Sequence, residues 1–254
     1  GKWHLNDFGT NINLEAVAFI KKFNETVHQM FPDVITIAEE STVYPKITYA
    51  VKDDGLGFTY KWNMGWMNDT LSYIKTDPIF KQYDHNKITF QMTYIYSEKF
   101  ILPLSHDEVV HGKLSMLNKM PGEYIDKFMS LQTYLMYQMS HPGKKLNFMG
   151  YELAQMIEWR DDREIDWLLL QYPIHQEFQK FVAKLNHTYL NNKPFYQLDD
   201  SWEGFKWIIV DDNDHNTFCY ERIDQKHQKI ITVLNFSFMN WENYSFDVDD
   251  GKYE

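Results

Sequence analysis

Apolar positions along this chain recur with two different periods, and the change from one to the other divides it. After Asn13, the positions Val17, Ile20, Phe23, Val27 and Met30 lie three or four apart, the spacing of one helical face. Asn13 is a good N-cap residue, and Glu15 falls in the first turn, where the helix dipole favours negative charge. Phe31-Pro32-Asp33 ends that helix. Val34 to Ala38 follows at once, a β-branched run that reads as a strand covered on both faces, as in a parallel sheet, and it stops on Glu39 and Glu40.

The same helix–turn–strand unit returns once, near residues 121–149. Leu56 to Tyr60 is a short strand candidate, Lys61 to Trp66 reads as a loop with two tryptophans, and Asn68 to Lys75 as a helix stopped by Asp77-Pro78. No element is placed between there and Tyr94. Phe100 to Ser105 reads as a strand in spite of Pro103, which removes a ladder donor, and it exits into His106-Asp107-Glu108. Pro121-Gly122 introduces a helix with Tyr124, Phe128, Leu131, Leu135 and Met139 inward. His141-Pro142-Gly143 closes it, and Leu146 to Met149 is the next strand. A last helix runs from about Gln176 to Tyr189. Beyond Pro194 the period becomes alternating, with strands over Phe205 to Val210, Thr217 to Ile223 and Lys229 to Phe236 joined by polar turns. The pattern therefore predicts an α/β region over residues 1–191, with helix-covered parallel strands, and an antiparallel β region over 192–254.

Composition narrows the partners. A net charge of −11 argues against nucleic acid and against an anionic membrane, because both call for a basic face. Cys219 is the only cysteine, so an intrachain disulfide and a thiolate zinc site are excluded and a cytoplasmic setting is expected. Gly1 to Asp7 lacks the apolar core of a signal peptide, and no run is long enough to span a bilayer. Aromatics make up 17% of the residues, with eight Trp, more than a core requires. Surplus rings commonly line sites for planar or sugar-ring ligands.

Two apolar strands ending in carboxylates point to one shared mouth, since ligands of parallel α/β folds bind at the carboxyl ends of strands. A solvated loop or helix cap is the bland alternative for such acids. A metal site could be drawn from His106, Asp107 and His111, but they lack helical metal-ligand spacing. No Walker loop, dinucleotide glycine fingerprint or nucleophile elbow occurs. What remains is the pair Glu39 and Asp107 beside aromatics, the apparatus of glycoside chemistry.

These residues also carry a resemblance. Ala38-Glu39-Glu40-Ser41-Thr42, Lys61-Trp62-Asn63-Met64-Gly65-Trp66-Met67, Leu102-Pro103-Leu104-Ser105-His106-Asp107-Glu108-Val109-Val110-His111-Gly112-Lys113, Met120-Pro121-Gly122 and His141-Pro142-Gly143-Lys144-Lys145-Leu146 resemble the glycogen branching enzymes of the α-amylase superfamily. The resemblance implies a retaining α-glucan transferase, with α-1,4-glucan as its partner and no cofactor, on a (β/α)₈ barrel. This chain would hold the C-terminal half of that barrel and the start of the β domain after it. Glu39 would be the general acid and base, Asp107 the acid that distorts the sugar and stabilises the transition state, and His106 a hydrogen-bonding partner of the same ring. Trp62, Trp66 and Glu40 are candidate substrate-binding residues. For Glu40 the competing reading is that it only orients the loop that follows.

One departure stands out. The family's nucleophile is an aspartate in an Arg-x-Asp word upstream of the acid, whereas the first arginine here is Arg160 and only Asp7 and Asp33 precede Glu39. The chain is thus expected to enter after the nucleophile strand and to be inactive alone. An amylase-type hydrolase and a non-catalytic glucan-binding piece are the alternatives.

Overall fold

Asn13 starts the first helix as its side chain predicts: its oxygen accepts the Ala16 N–H at 2.9 Å, and α1 spans Leu14–Met30. The structure, a computed structural model, describes residues 5–251 and Tyr253, so the first four residues of the stretch read for a signal peptide lie outside the described ones. Val17 and Ile20 pack on a small cluster of Ala38, Ile47 and Leu56. The buried centre of the helix face is Asn24, whose amide donates to the Leu56 carbonyl at 2.8 Å. Phe23 and Met30 are exposed, so the apolar stripe is narrower than its spacing suggests.

Four parallel strands follow in sequential order: β1 (Ile37–Ala38), β2 (Tyr60–Trp62), β3 (Phe100–Leu104) and β4 (Lys144–Asn147). The expected five-residue, doubly covered β1 is corrected here. Only two residues pair, and Val34, Ile35 and Ile37 are exposed, because β1 has β2 on one side only and no described residue covers its far side. The Trp-bearing loop is corrected as well. Asn63 caps α2 (Met64–Lys75) by accepting the Trp66 N–H at 2.8 Å, which turns the chain into a helix right after β2. Trp66 consequently points inward. It is fully buried and stacks on Tyr134 and Tyr137 at 6.1 and 6.2 Å between ring centroids. The stretch with no placed element holds 3₁₀ turns at Pro78–Tyr83 and Phe90–Thr93 and the single-turn α3 (Asn86–Thr89), too short to show a period.

Pro103 sits in a fully buried central strand, and the ladder explains why that is tolerated. Alternate residues of a strand direct their backbone groups to the same neighbour. The Ile101 carbonyl accepts from Asn63 N–H at 2.8 Å, so residues 101 and 103 face β2, and β2 has already ended at Trp62. The missing N–H has no partner to lose. Leu104 faces the other way and accepts from Phe148 N–H at 2.9 Å.

A capping box of Glu123 and Asp126 opens α4 (Tyr124–Ser140), and Pro173 at the first position opens α5 (Pro173–Asn191). A second sheet is antiparallel, β5 (Phe205–Ile209), β6 (Thr217–Ile223) and β7 (Lys229–Asn235), in that order. Phe218 and Tyr220 of β6 and Phe236, just past β7, share one core with Tyr73 of α2 and Tyr137 of α4. Tyr73 meets Phe236 edge-on at 5.4 Å. No described helix is long and apolar enough to cross a membrane.

His141, at the end of α4, is walled in by Trp66 and Tyr137, with its Nδ1 bonded to the Pro142 carbonyl at 2.9 Å. Burial pushes its pKa down to about 3, so the folded protein holds it neutral. Burial lowers His85 in the same direction. The unfolded chain takes up these protons near the ordinary value of 6.5, and stability is therefore lost as pH falls below that value toward 3. For His141 the loss is on the order of 2 kcal/mol by pH 5. Thermal melts from pH 7.5 to 4.5 should show a falling midpoint, with a shallower fall in His141→Leu. Equal slopes for the two proteins would contradict a buried neutral imidazole.

Candidate active site

Parallel register decides which side chains meet. Ala38 lies beside Lys61, Trp62 beside Ile101 and Leu104 beside Asn147, so Glu39, Asn63, His106-Asp107 and Phe148 all leave the sheet at its carboxyl edge. Each of the two acidic pairs then splits. Glu39 is exposed, while Glu40 is half-buried and its carboxylate accepts the Thr42 N–H at 2.5 Å, which orients the loop after β1. Asp107 is exposed, while Glu108 is buried and burial pushes its carboxyl up. In both pairs the first acid faces solvent and the second turns inward.

Asp107 stands on a 3₁₀ turn, His106–Val109, that Ser105 starts by accepting the Asp107 N–H at 3.3 Å. Tyr151 fixes the same turn from below, its hydroxyl donating to the Ser105 carbonyl at 2.9 Å. Lys113 reaches back over it. Its ammonium donates to the Asp107 carbonyl at 2.8 Å and lies 3.9 Å from the Asp107 carboxylate. His106 is exposed and is bounded by Phe148 at 5.8 Å and Trp159 at 6.2 Å, two rings that themselves meet at right angles. Phe148, Trp159 and Lys113 were not singled out from the sequence. Phe148 lies inside the expected strand Leu146 to Met149, and the end of β4 at Asn147 is what leaves it at the strand's carboxyl end.

A separate cavity of about 540 Å³ opens between the loop after β1 and the ends of β2 and β3, lined by Glu40, Tyr44, Lys61, Trp62, Asn63 and Tyr94. Lys61 is buried there, and burial lowers its pKa while Glu40 and Glu98 raise it. Glu39, His106 and Asp107 do not line this cavity, so the exposed acids stand on an open edge rather than inside it. Trp62 is half-buried at the end of β2, beside the edge. Trp66, fully buried, is removed from the set of residues able to touch a ligand. Among the described residues no group of three or more His, Cys, Asp or Glu is placed to hold a metal ion.

The edge offers two solvent-facing carboxylates, an imidazole between aromatic rings and a lysine beside one acid. Carboxylates so placed can accept hydrogen bonds from a polar ligand at the edge and favour positive charge there.

Comparison with known proteins agrees with the resemblance read from the sequence. The chain is 50% identical, over 93% of its length, to a 1,4-alpha-glucan branching enzyme GlgB of Clostridium perfringens, of which it covers 36%. It is 47% identical, over 99% of its length, to a protein of the same name in Desulfitobacterium hafniense, of which it covers 40%. The chain thus spans a little over a third of the length of the curated relatives it matches. Residues 207–254 match the family described as alpha amylase, C-terminal all-beta domain. Among solved structures, a cyclomaltodextrinase aligns over 86% of this chain and 34% of its own, with a TM-score of 0.58 and 16% identity. A debranching enzyme of Nostoc punctiforme aligns over 86% of this chain and 45% of its own, with a TM-score of 0.60 and 14% identity. At that identity these two establish a shared fold and nothing further.

Proposed function

We propose that this chain is the portion of a 1,4-α-glucan branching enzyme that carries its acid–base residue and its charge-stabilising residue. In this reading β1 to β4 are the second half of a (β/α)₈ barrel, residues 1–191 belong to that catalytic domain, and 192–254 begin the all-β domain. The observation that carries the reading is the emergence of Glu39 and His106-Asp107 from one edge of one parallel sheet, in a chain 50% identical over 93% of its length to a branching-enzyme relative.

In this reading the acids take the roles that the family resemblance implies. Glu39 protonates the glycosidic oxygen of an α-1,4 bond, and the Asp107 carboxylate offsets the oxocarbenium-like charge that grows as the bond lengthens. His106, held between Phe148 and Trp159, hydrogen-bonds the same sugar, and Trp62 at the adjacent strand end supplies apolar contact. Glu39 then serves as base for the 6-hydroxyl of the acceptor glucan, which gives an α-1,6 branch with retention. The aspartate that would hold the glycosyl unit between these steps has no Arg-x-Asp counterpart between Gly1 and Glu39. A cytoplasmic site of action fits a chain whose single cysteine is free and buried.

The test is a product count. The whole protein incubated with amylose should generate α-1,6 linkages with no matching rise in reducing ends. Rising reducing ends without new branches would replace branching with amylase-type hydrolysis, and no change in either would leave only a glucan-binding role.

A further inference from the structure

We propose that Glu158 is a positioning residue for Asp107, acting through the loop that carries Lys113; this rests on the reading of Asp107 as the charge-stabilising acid. The loop after the His106–Val109 turn has a shape that it does not adopt by itself. His111, Gly112 and Leu114 have φ of +56°, +80° and +70°. Left-handed backbone costs a non-glycine residue roughly 1–2 kcal/mol, so two of these three positions need outside support. Glu158 provides it. One carboxylate oxygen accepts the Gly112 N–H at 3.0 Å and the other accepts the Leu114 N–H at 2.6 Å. These two bonds are the main reason its carboxyl is held below the usual range.

The loop's carbonyls are held from the other side. Lys119, almost wholly buried, donates to the carbonyls of Lys113 and Leu114. Its neighbour Asn118 ties the segment to the strand of chain that bears Glu158, donating to the Met156 carbonyl at 2.6 Å. Trp159 N–H bonds the Val109 carbonyl at 2.9 Å and its ring bounds His106. The residue suspended between Gly112 and Leu114 is Lys113, whose ammonium grips the Asp107 carbonyl and approaches its carboxylate. The chain of contact runs from Glu158 to two backbone amides, to Lys113, to Asp107. The hydrogen bonds of Glu158 go to the amides of Gly112 and Leu114, not to Asp107 or His106.

Such a role separates from plain structural support by coupling. In the whole protein, Glu158→Ala should lower kcat for branching by roughly 10–100-fold, the cost of a reacting group misplaced by about 1 Å, with little change in KM. Glu158→Gln keeps one acceptor oxygen but sets its NH2 against the other backbone N–H, so it should recover only part of that loss. On an Asp107→Asn background, Glu158→Ala should cost almost nothing more, because the group it positions is already disabled. Lys113→Met leaves the loop backbone untouched and should reproduce the kcat loss of Glu158→Ala, so a poorly folding alanine variant does not shelter the proposal. Equal losses on the wild-type and Asp107→Asn backgrounds would overturn it, as would full activity in Lys113→Met. If instead Asp107→Asn branches as fast as the wild type, the assignment of Asp107 fails and this inference falls with it.

Discussion

Replacing Glu39 by Gln in the whole protein is expected to lower branch formation by roughly a thousandfold, in the middle of the range for loss of a general acid. Gln keeps the size and shape of the side chain but can neither give up nor accept the proton that the leaving oxygen and the incoming 6-hydroxyl require. Stability should not change, because Glu39 is exposed at the carboxyl end of β1 and a side chain of the same size and shape replaces it. The neighbouring acid gives the control. Glu40 is half-buried and spends its carboxylate on the Thr42 N–H, so Glu40→Gln should lose less than about tenfold, through loop order rather than chemistry. Initial rates of α-1,6 formation for the two variants decide the matter. A Glu40 variant crippled as deeply as the Glu39 one would mean that the split between the two acids is misread.

The legible parts of this fold are those whose signal is local. Asn13 marks the start of α1 because a cap is made by one side chain close in sequence, whereas α5 starts at Pro173, three residues ahead of the expected Gln176. β7 shows in the alternation, with Thr232 and Leu234 buried and Val233 and Asn235 exposed, while the central β6 is buried on both faces and is legible as a run between polar turns. The parallel strands are harder to read. β1 and β2 pair over two and three residues, too few for any period, and their ends are decided by what lies beside them in the sheet. The burial of Trp66 is illegible for a related reason: Lys61 to Trp66 reads as a loop, and only the Asn63 cap turns it into a helix. For the candidate site, the words around Glu39 and Asp107 were visible, but Glu158 was not. It lies 46 residues beyond the Gly112 amide that it holds, and nothing local marks it.

The joint between the two sheets should be the most fragile point in the molecule, and Asp199→Ala should cost about 3–5 kcal/mol, the usual effect of stripping one partner from a buried ion pair. Arg222 of β6 is wholly buried there. It donates to the carbonyls of Ser140 at 2.7 Å and Gly204 at 3.1 Å and to the Asp199 carboxylate at 2.7 Å, so one guanidinium ties the end of α4, the start of β5 and the turn before it. The other Asp199 oxygen receives Lys144 of β4 at 3.0 Å. Burial alone would raise the Asp199 carboxyl, but Lys145, Arg222 and Lys144 together outweigh it and hold the group below the usual range. Lys145 is the second charge at risk. Burial pushes its pKa down to about 7 even with Asp199 nearby to favour the charged form. Without that carboxylate, near pH 6 Lys145 must either stay charged with no counter-ion or give up its proton, whereas near pH 9 it is neutral in either protein. The destabilisation should therefore be larger at pH 6 than at pH 9. In thermal melts the midpoint of Asp199→Ala should fall by roughly 10 °C near neutrality, taking 2–4 °C per kcal/mol for a chain of this size. Asp199→Leu combined with Arg222→Met, which removes both charges, should be milder than Asp199→Ala alone. A single variant that melts within about 2 °C of the wild type would mean that water reaches Arg222 and that the joint is not sealed by this pair.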